Sequence, residues 1–243
     1  MPDDFTDKIA TAFGKEAAKE LLGFWGDITR IPAKELGEMF ADQIKFYRLK
    51  NLLRITQKAR TICQEHDIQA DQIPIRFAVP FLEHASLEDN EYLQKKWANL
   101  LAASLIPGTP SNIRLYVDFL KTISPIEARI LDYLYNGSIT IAVGGKGKRP
   151  TSAPATHDAK DIKEYLGIDT TALVLSCDNL ERLQLIKIYN NVPLSYIGKN
   201  GHLATAMMPK DAYSNITLTW LGVNFLEHCS GTPNQSSYSV GDF

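Results

Sequence analysis

The segment from Ser86 to Leu105 carries the pattern that most restricts how this chain can fold. Its apolar residues recur every three or four positions, which places them on one face of a helix. Ser86 has the residue type of an N-cap, and Asp89 stands three positions later in the place of a capping partner. The chain is therefore predicted to build a core around this helix, whose stripe is Leu93, Trp97, Leu100, Leu101, Ser104 and Leu105.

Other segments of the first half show the same helical spacing. "KEAAKELLGFWGDI" predicts an amphipathic helix, which Pro32 ends, and a longer helix is predicted from Lys34 to about Glu65. "DQIPIRFAVPFLEHA" predicts a connection with a short helix, and "NIRLYVDFLKTI" predicts a helix after "PGTPS". The sequence thus predicts a helical domain over residues 1–121.

A second unit begins at Ser124, where Ser124, Pro125 and Glu127 have the spacing of a capping box. Two further helices are predicted, one closed by Gly167 and one capped by Asp169 or Thr170. "LIKIYNN" and "NITLTW" predict strands, with a hairpin turn at Asn200-Gly201, and a helix closes the unit.

This order of elements is that of a winged helix. The predicted fold class is therefore mainly α, with a winged-helix-like α+β domain and a small β-hairpin over residues 122–230. A polar tail, residues 231–243, has a composition typical of disorder.

The bulk composition is that of a soluble globular protein, with 243 residues, 44% of them hydrophobic, and a formal net charge of −2. Three cysteines stand far apart without a CxxC pair, and no apolar run approaches the roughly 20 residues that cross a bilayer. These features predict a cytoplasmic protein with reduced thiols, and a peripheral position at the inner membrane stays open.

The sequence offers few candidates for chemistry. A metal site is one interpretation of His84, Glu88 and Asp89, whose side chains are of types that bind metals, but only one imidazole is present. The start of a capped helix also explains the two acids, because acids near a helix N-terminus interact favourably with the helix dipole. "GGKGKRPT", from Gly144 to Thr151, lacks the spacing of a phosphate-binding loop. We therefore predict no catalytic residue, no metal and no cofactor.

The best positive signal is the basic segment from Ile44 to Arg60, which holds six cations and no acid. Lys50, Arg54 and Lys58 follow each other at intervals of four and form one stripe on a helix. Such a stripe can bind an anionic membrane, nucleic acid or an acidic partner, and a solvated face is the alternative.

A winged-helix fold can bind nucleic acid, but the charge of the candidate reading helix in the second unit does not favour this function. The candidate reading helix, Thr170 to Leu185, offers Asn179, Arg182 and Gln184 but also two acids. The cations that could contact phosphate backbones are Lys146, Lys148, Arg149 and Lys199.

Several segments, taken in order, resemble the abortive infection alpha family of bacterial proteins. They are "RLKNLLRITQKA", "PFLEHASLEDNEYLQKKWANLLAAS", "DFLKTISPIEARILDYL" and "LTWLGVNFLEHC". The more specific blocks within them include Glu88-Asp89, Leu93-Gln94, Trp97-Ala98 and Ser124-Pro125. The resemblance implies a role in defence against bacteriophage, in which an infected cell stops growing or dies before progeny are released. It implies no catalytic residues.

Three hypotheses follow for function. The first is a non-enzymatic defence protein that binds a partner protein, a phage-derived trigger or an anionic surface. The second is a winged-helix transcription regulator that binds DNA. The third is a hydrolase or nuclease whose site is assembled from dispersed residues. The trigger and the oligomeric state are not predicted.

Overall fold

A computed structural model describes residues 15–29, 44–69, 71–107, 113–137, 139–141, 151–153, 155–189 and 215–229. The described residues are mainly helical and include a small three-stranded antiparallel sheet. They divide into two compact units. The first contains the described residues up to Thr122 together with Glu227–Cys229, and the second runs from Ile123 to Leu226.

The described residues of the first unit before Thr122 form five helices. They are α1 (Lys15–Thr29), α2 (Ile44–Glu65), α3 (Ile75–Ala85), α4 (Glu91–Ser104) and α5 (Arg114–Leu120). All five confirm predicted helices, although the part of the long helix predicted before Ile44 lies outside the described residues. Among them α4 is buried on nearly every side, and its seven residues from Trp97 to Ala103 are all inaccessible.

Aromatic rings from three helices form the centre of the first unit. Phe81 of α3 lies 5.8 Å from Trp25 of α1 and 5.3 Å from Trp97 of α4, measured between ring centroids. The Trp25 indole N–H donates to Thr56 Oγ1 of α2 at 3.1 Å, so its single polar group is satisfied inside the core. Burial of these large rings supplies much of the apolar area that stabilises the unit.

The predicted N-cap of α4 is wrong. The helix begins at Glu91, and the side chain of Asn90 accepts hydrogen bonds from the backbone N–H groups of Tyr92 and Leu93 at 3.0 and 3.3 Å. Ser86 lies instead at the C-terminal end of α3, where its side chain is fully buried. Both residues are good cap types, so residue type alone does not distinguish them.

The part of the second unit that the structure describes contains four helices and five short strands. In chain order they are α6 (Pro125–Asn136), β1 (Ile139–Ile141), β2 (Thr151–Ala153), β3 (Thr156–Asp158), α7 (Ala159–Leu166), α8 (Thr170–Arg182), β4 (Ile186–Tyr189), β5 (Asn215–Leu218) and α9 (Trp220–Cys229). The last three residues of α9 belong to the first unit.

Local signals of the second unit are confirmed in detail. Ser124 and Glu127 form the capping box of α6, Gly167 ends α7 with a φ of 63°, and Asp169 caps α8. Glycine adopts that left-handed backbone conformation more readily than residues with a Cβ atom. The Asn200-Gly201 turn lies outside the described residues.

The sheet has the order β3-β5-β4, and all its pairs are antiparallel. The strands β4 and β5 confirm the two predicted ones, whereas β3 was not predicted. The segment before it contributes β1 and β2, which were also not predicted, and these pair with each other. These strands have three residues each, which is too short for an alternating pattern to be recognised.

We expect Asn90→Ala to lower the free energy of unfolding by about 1 kcal/mol, because the first turn of α4 loses its side-chain cap. Asn90→Asp keeps the acceptor and should stay close to the wild type. Urea unfolding followed by circular dichroism measures both. Asn136→Ala, at the exposed last residue of α6, is the matched control, and equal losses in the two alanine variants would contradict this assignment of the cap.

Candidate functional site

The basic stripe predicted on α2 lies on the outward side of that helix. Arg54 is exposed, and Lys50 and Lys58 are half-buried. Lys58 Nζ lies 3.6 Å from Glu91 Oε1, and the glutamate side chain is 90% exposed. An ion pair this exposed contributes little, between about 0 and 1 kcal/mol, so it leaves Lys58 available to another anion.

An aromatic residue that the sequence did not single out belongs to the same face. Tyr47 stands three residues before Lys50 and seven before Arg54, which is the spacing of one helix stripe, and it is 70% exposed. Gln57 and Thr61 continue the stripe and are also exposed. We call Tyr47, Lys50, Arg54, Gln57, Lys58 and Thr61 the outer face of α2.

Two further cations of α2, Arg48 and Arg60, make contacts with neighbouring elements. Arg48 lies on the inward side of the helix, where its Nε donates to Ser86 Oγ at 3.0 Å and its Nη2 to the Glu83 carbonyl oxygen at 3.2 Å. The Arg60 guanidinium lies 5.9 Å from the centroid of the Phe24 ring. The described cations of this run are therefore divided between the outer stripe and contacts with neighbouring elements.

Arg48 is part of a polar cluster at the turn between α3 and α4. Asn51 Nδ2 donates to the Ser86 carbonyl oxygen at 3.3 Å, and Gln94 Nε2 donates to the Glu88 carbonyl oxygen at 2.9 Å. Asn51, Ser86 and Gln94 are all buried. Because buried polar groups are costly unless they are paired, these bonds fix the turn against α2 and α4.

Glu88 is the ionisable group of this cluster. Its Oε1 accepts a hydrogen bond from the Asn90 backbone N–H at 2.9 Å. Burial raises the pKa of the Glu88 carboxyl and the charge of Asp89 raises it further, while the Asn90 N–H and the Trp97 indole partly offset the increase. The Trp97 N–H is buried and, within the part of the chain that the structure describes, makes no hydrogen bond of regular geometry.

The acidic cluster beside His84 is thus a structural turn with one half-buried carboxyl. Among the described residues, no group of three or more histidine, cysteine or acidic side chains is placed to hold a metal ion. His84 lies in the last turn of α3. The cation at this turn is Arg48, which donates hydrogen bonds to the Ser86 hydroxyl and to the Glu83 carbonyl oxygen.

The two cysteines whose pKa is shifted are poor nucleophiles. Burial raises the pKa of Cys63 to about 11 and that of Cys177 to about 12, and nearby acids add to the shift at Cys177. Since the thiolate is the reactive form, both side chains are protonated at neutral pH. Cys177 is buried in the core, and Cys63 is half-buried.

The candidate base-reading residues of α8 make bonds within the second unit. Asn179 Nδ2 donates to Glu127 Oε1 at 2.7 Å, and Arg182 Nη2 donates to Asn179 Oδ1 at 2.7 Å. Gln184 Nε2 donates to the Glu181 carbonyl oxygen. The outward face of α8 instead carries Leu175, which is 64% exposed.

Four predicted nucleic-acid contacts lie outside the described residues. They are Lys146, Lys148, Arg149 and Lys199. Their role stays a prediction.

The stability of the protein should fall as pH rises from 4.5, the ordinary value for a glutamate carboxyl, through the raised pKa of folded Glu88. The folded state holds the Glu88 proton more tightly than the unfolded state, so deprotonation in this window favours unfolding. Glu88→Gln should reduce this slope. Urea unfolding between pH 4 and 7 measures it.

Glu83→Gln, at an exposed position of α3, is the control and should keep the wild-type slope. Glu227, whose pKa burial also raises, contributes equally in all three proteins. An unchanged slope in Glu88→Gln would contradict the assignment.

Comparison with known proteins gives one match. The family model for abortive infection alpha matches residues 47–229, which include the outer face of α2, the polar turn and the whole sheet. No curated protein and no solved structure gave a match. No helix among the described residues is long and apolar enough to cross a membrane. Because the match covers most of the sequence and agrees with the segments quoted above, this chain belongs to the abortive infection alpha family.

Proposed function

We propose that this protein acts in abortive infection by binding, through the outer face of α2, to an anionic surface, and that it carries out no chemical step of its own. Membership of the family supports the defence role. The observation that carries the mechanism is the placement of Tyr47, Lys50 and Arg54 on one exposed helix face.

The residue types of this face suit the surface of a membrane. Lysine and arginine are attracted to anionic headgroups, each contributing about 1 kcal/mol near the surface. A tyrosine presents an apolar ring and a polar hydroxyl, which suits the boundary between headgroups and acyl chains. The helix itself stays in the core of its unit, because Leu52, Ile55 and Ala59 are fully buried on the opposite side. Only the side chains would reach the lipid.

We infer that the second unit is winged-helix-like and that it contacts a protein. The element order α6, β3, α7, α8, β4, β5 and the sheet order β3-β5-β4 support this architecture. The segment between β4 and β5, in the place of a wing, lies outside the described residues. A DNA-reading helix presents amides and cations to the groove, whereas α8 presents Leu175 together with the exposed Asp178. An apolar anchor of this kind suits a protein interface.

A vesicle experiment tests the anionic surface. The full chain should co-sediment with vesicles containing phosphatidylglycerol and not with phosphatidylcholine vesicles, and 0.5 M salt should weaken the binding through screening. Lys50→Glu/Arg54→Glu should lower the affinity by at least about tenfold.

The matched control reverses two exposed cations elsewhere, Arg76→Glu/Lys187→Glu. This variant makes the same change in net charge and should bind nearly as the wild type does. Equal binding to both kinds of vesicle, or equal losses in the two double variants, would refute the membrane surface.

A phage challenge tests the defence role. In a sensitive bacterial strain the wild-type gene should protect the culture at low phage dose and cause arrest or death of infected cells at high dose. Lys50→Glu/Arg54→Glu, expressed to the same level, should abolish protection. Protection by this variant would show that the outer face of α2 is dispensable, while failure of the wild type against a broad phage panel would count against the defence role in that host.

A further inference from the structure

A cleft in the second unit lies between the start of α7 and the start of α8. Its volume is about 320 Å³, which is at the lower end of the range for small-molecule sites. One part of its lining is apolar, from Ala159, Leu173 and Val174, and the other part carries the side chains of Lys160 and Lys163. The cleft therefore combines an apolar wall with two ammonium groups.

Lys163 is the central cation of this cleft. It is half-buried, and its Nζ donates to Thr170 Oγ1 at 2.8 Å. Within the described residues no carboxylate lies at ion-pair distance from it, so the positive charge is held by a neutral hydroxyl. A partly desolvated ammonium of this kind gains free energy when an anion enters beside it.

The remaining charged groups of the cleft are already engaged. The exposed Lys160 lies 3.7 Å from Glu164 Oε1 of the same helix, an exposed pair that an incoming anion can displace. The Asp158 carboxylate caps α7 by accepting from the Lys160 backbone N–H at 2.7 Å. The helix N-terminus partly offsets its charge, which weakens its repulsion of an anion at Lys163.

We propose that this cleft binds a small amphiphilic anion, with its charged head on Lys163 and Lys160 and its apolar part against Leu173 and Val174. A medium-chain carboxylate has this chemistry. The apolar wall distinguishes such a ligand from a bare phosphate, which would leave Leu173 and Val174 unused. The inference does not rest on the proposed function, because the outer face of α2 belongs to the first unit.

Binding of octanoate to the full-length protein tests the proposal. Methyl resonances of Leu173 and Val174 should shift on titration with octanoate in two-dimensional NMR spectra. Octanol has the alkyl chain without the charge, and inorganic phosphate has the charge without the alkyl chain. Each should bind at least about tenfold more weakly than octanoate.

Two variants and one control locate the site. Lys163→Met keeps the aliphatic stem and removes the charge, and it should weaken octanoate binding by about tenfold. Val174→Asp places a like charge on the half-exposed wall and should abolish binding. Lys187→Met, at an exposed position of β4, should bind octanoate within about twofold of the wild type, as expected for a change outside the cleft.

Three results would overturn the proposal. The first is unchanged affinity in Lys163→Met and Val174→Asp, both shown by circular dichroism to be folded. The second is equal binding of phosphate and octanoate, which would show that the apolar wall plays no part. The third is a shift of the Leu173 and Val174 methyl groups by a short DNA duplex and not by octanoate, which would make the cleft a contact for a phosphate backbone.

Discussion

The burial of α4 is the constraint on which the first unit depends. The polar residues on the covered sides of this helix cannot reach water, so they need partners from neighbouring elements. Gln94 is satisfied at the turn before the helix, and Asn99 donates to the Cys229 carbonyl oxygen at 2.9 Å. These bonds are directional, whereas apolar contacts are not. They therefore fix the positions that the aromatic core alone would leave adjustable.

The same constraint determines which side of α2 is available for function. The inward side of α2 packs on α4, with Asn51 and Arg48 directed to the polar turn. The opposite side is left to Tyr47, Lys50 and Arg54. Binding through this face requires little further loss of backbone entropy, because the backbone of α2 is already ordered by its packing on α4. The proposed binding face and the core are two sides of one element.

The sequence predicted the helices well because their signals are local. The capping box at Ser124, the glycine at the end of α7 and the stripe of α4 each lie within a few residues of what they determine. The N-cap of α4 was missed because Ser86 and Asn90 lie in one turn and both are good caps. Ser86 is instead the C-cap of α3, and its hydroxyl accepts a hydrogen bond from Arg48, which lies 38 residues earlier in the chain and is outside the reach of a local pattern. The strand β3 was missed for a related reason, since it pairs with β5 about sixty residues later.

The sequence by itself determined the helix periodicity, the caps of the second unit, the four-residue spacing of the cations along α2 and the family to which the chain belongs. Only the tertiary structure decided which of those cations face solvent, which polar residues are buried together and where Glu88 acquires its raised pKa. The physical reason is that spacing along a helix fixes which side chains share a face. Which elements pack against that face depends on residues distant in the chain. The burial of each side chain and the charges near it follow from that packing.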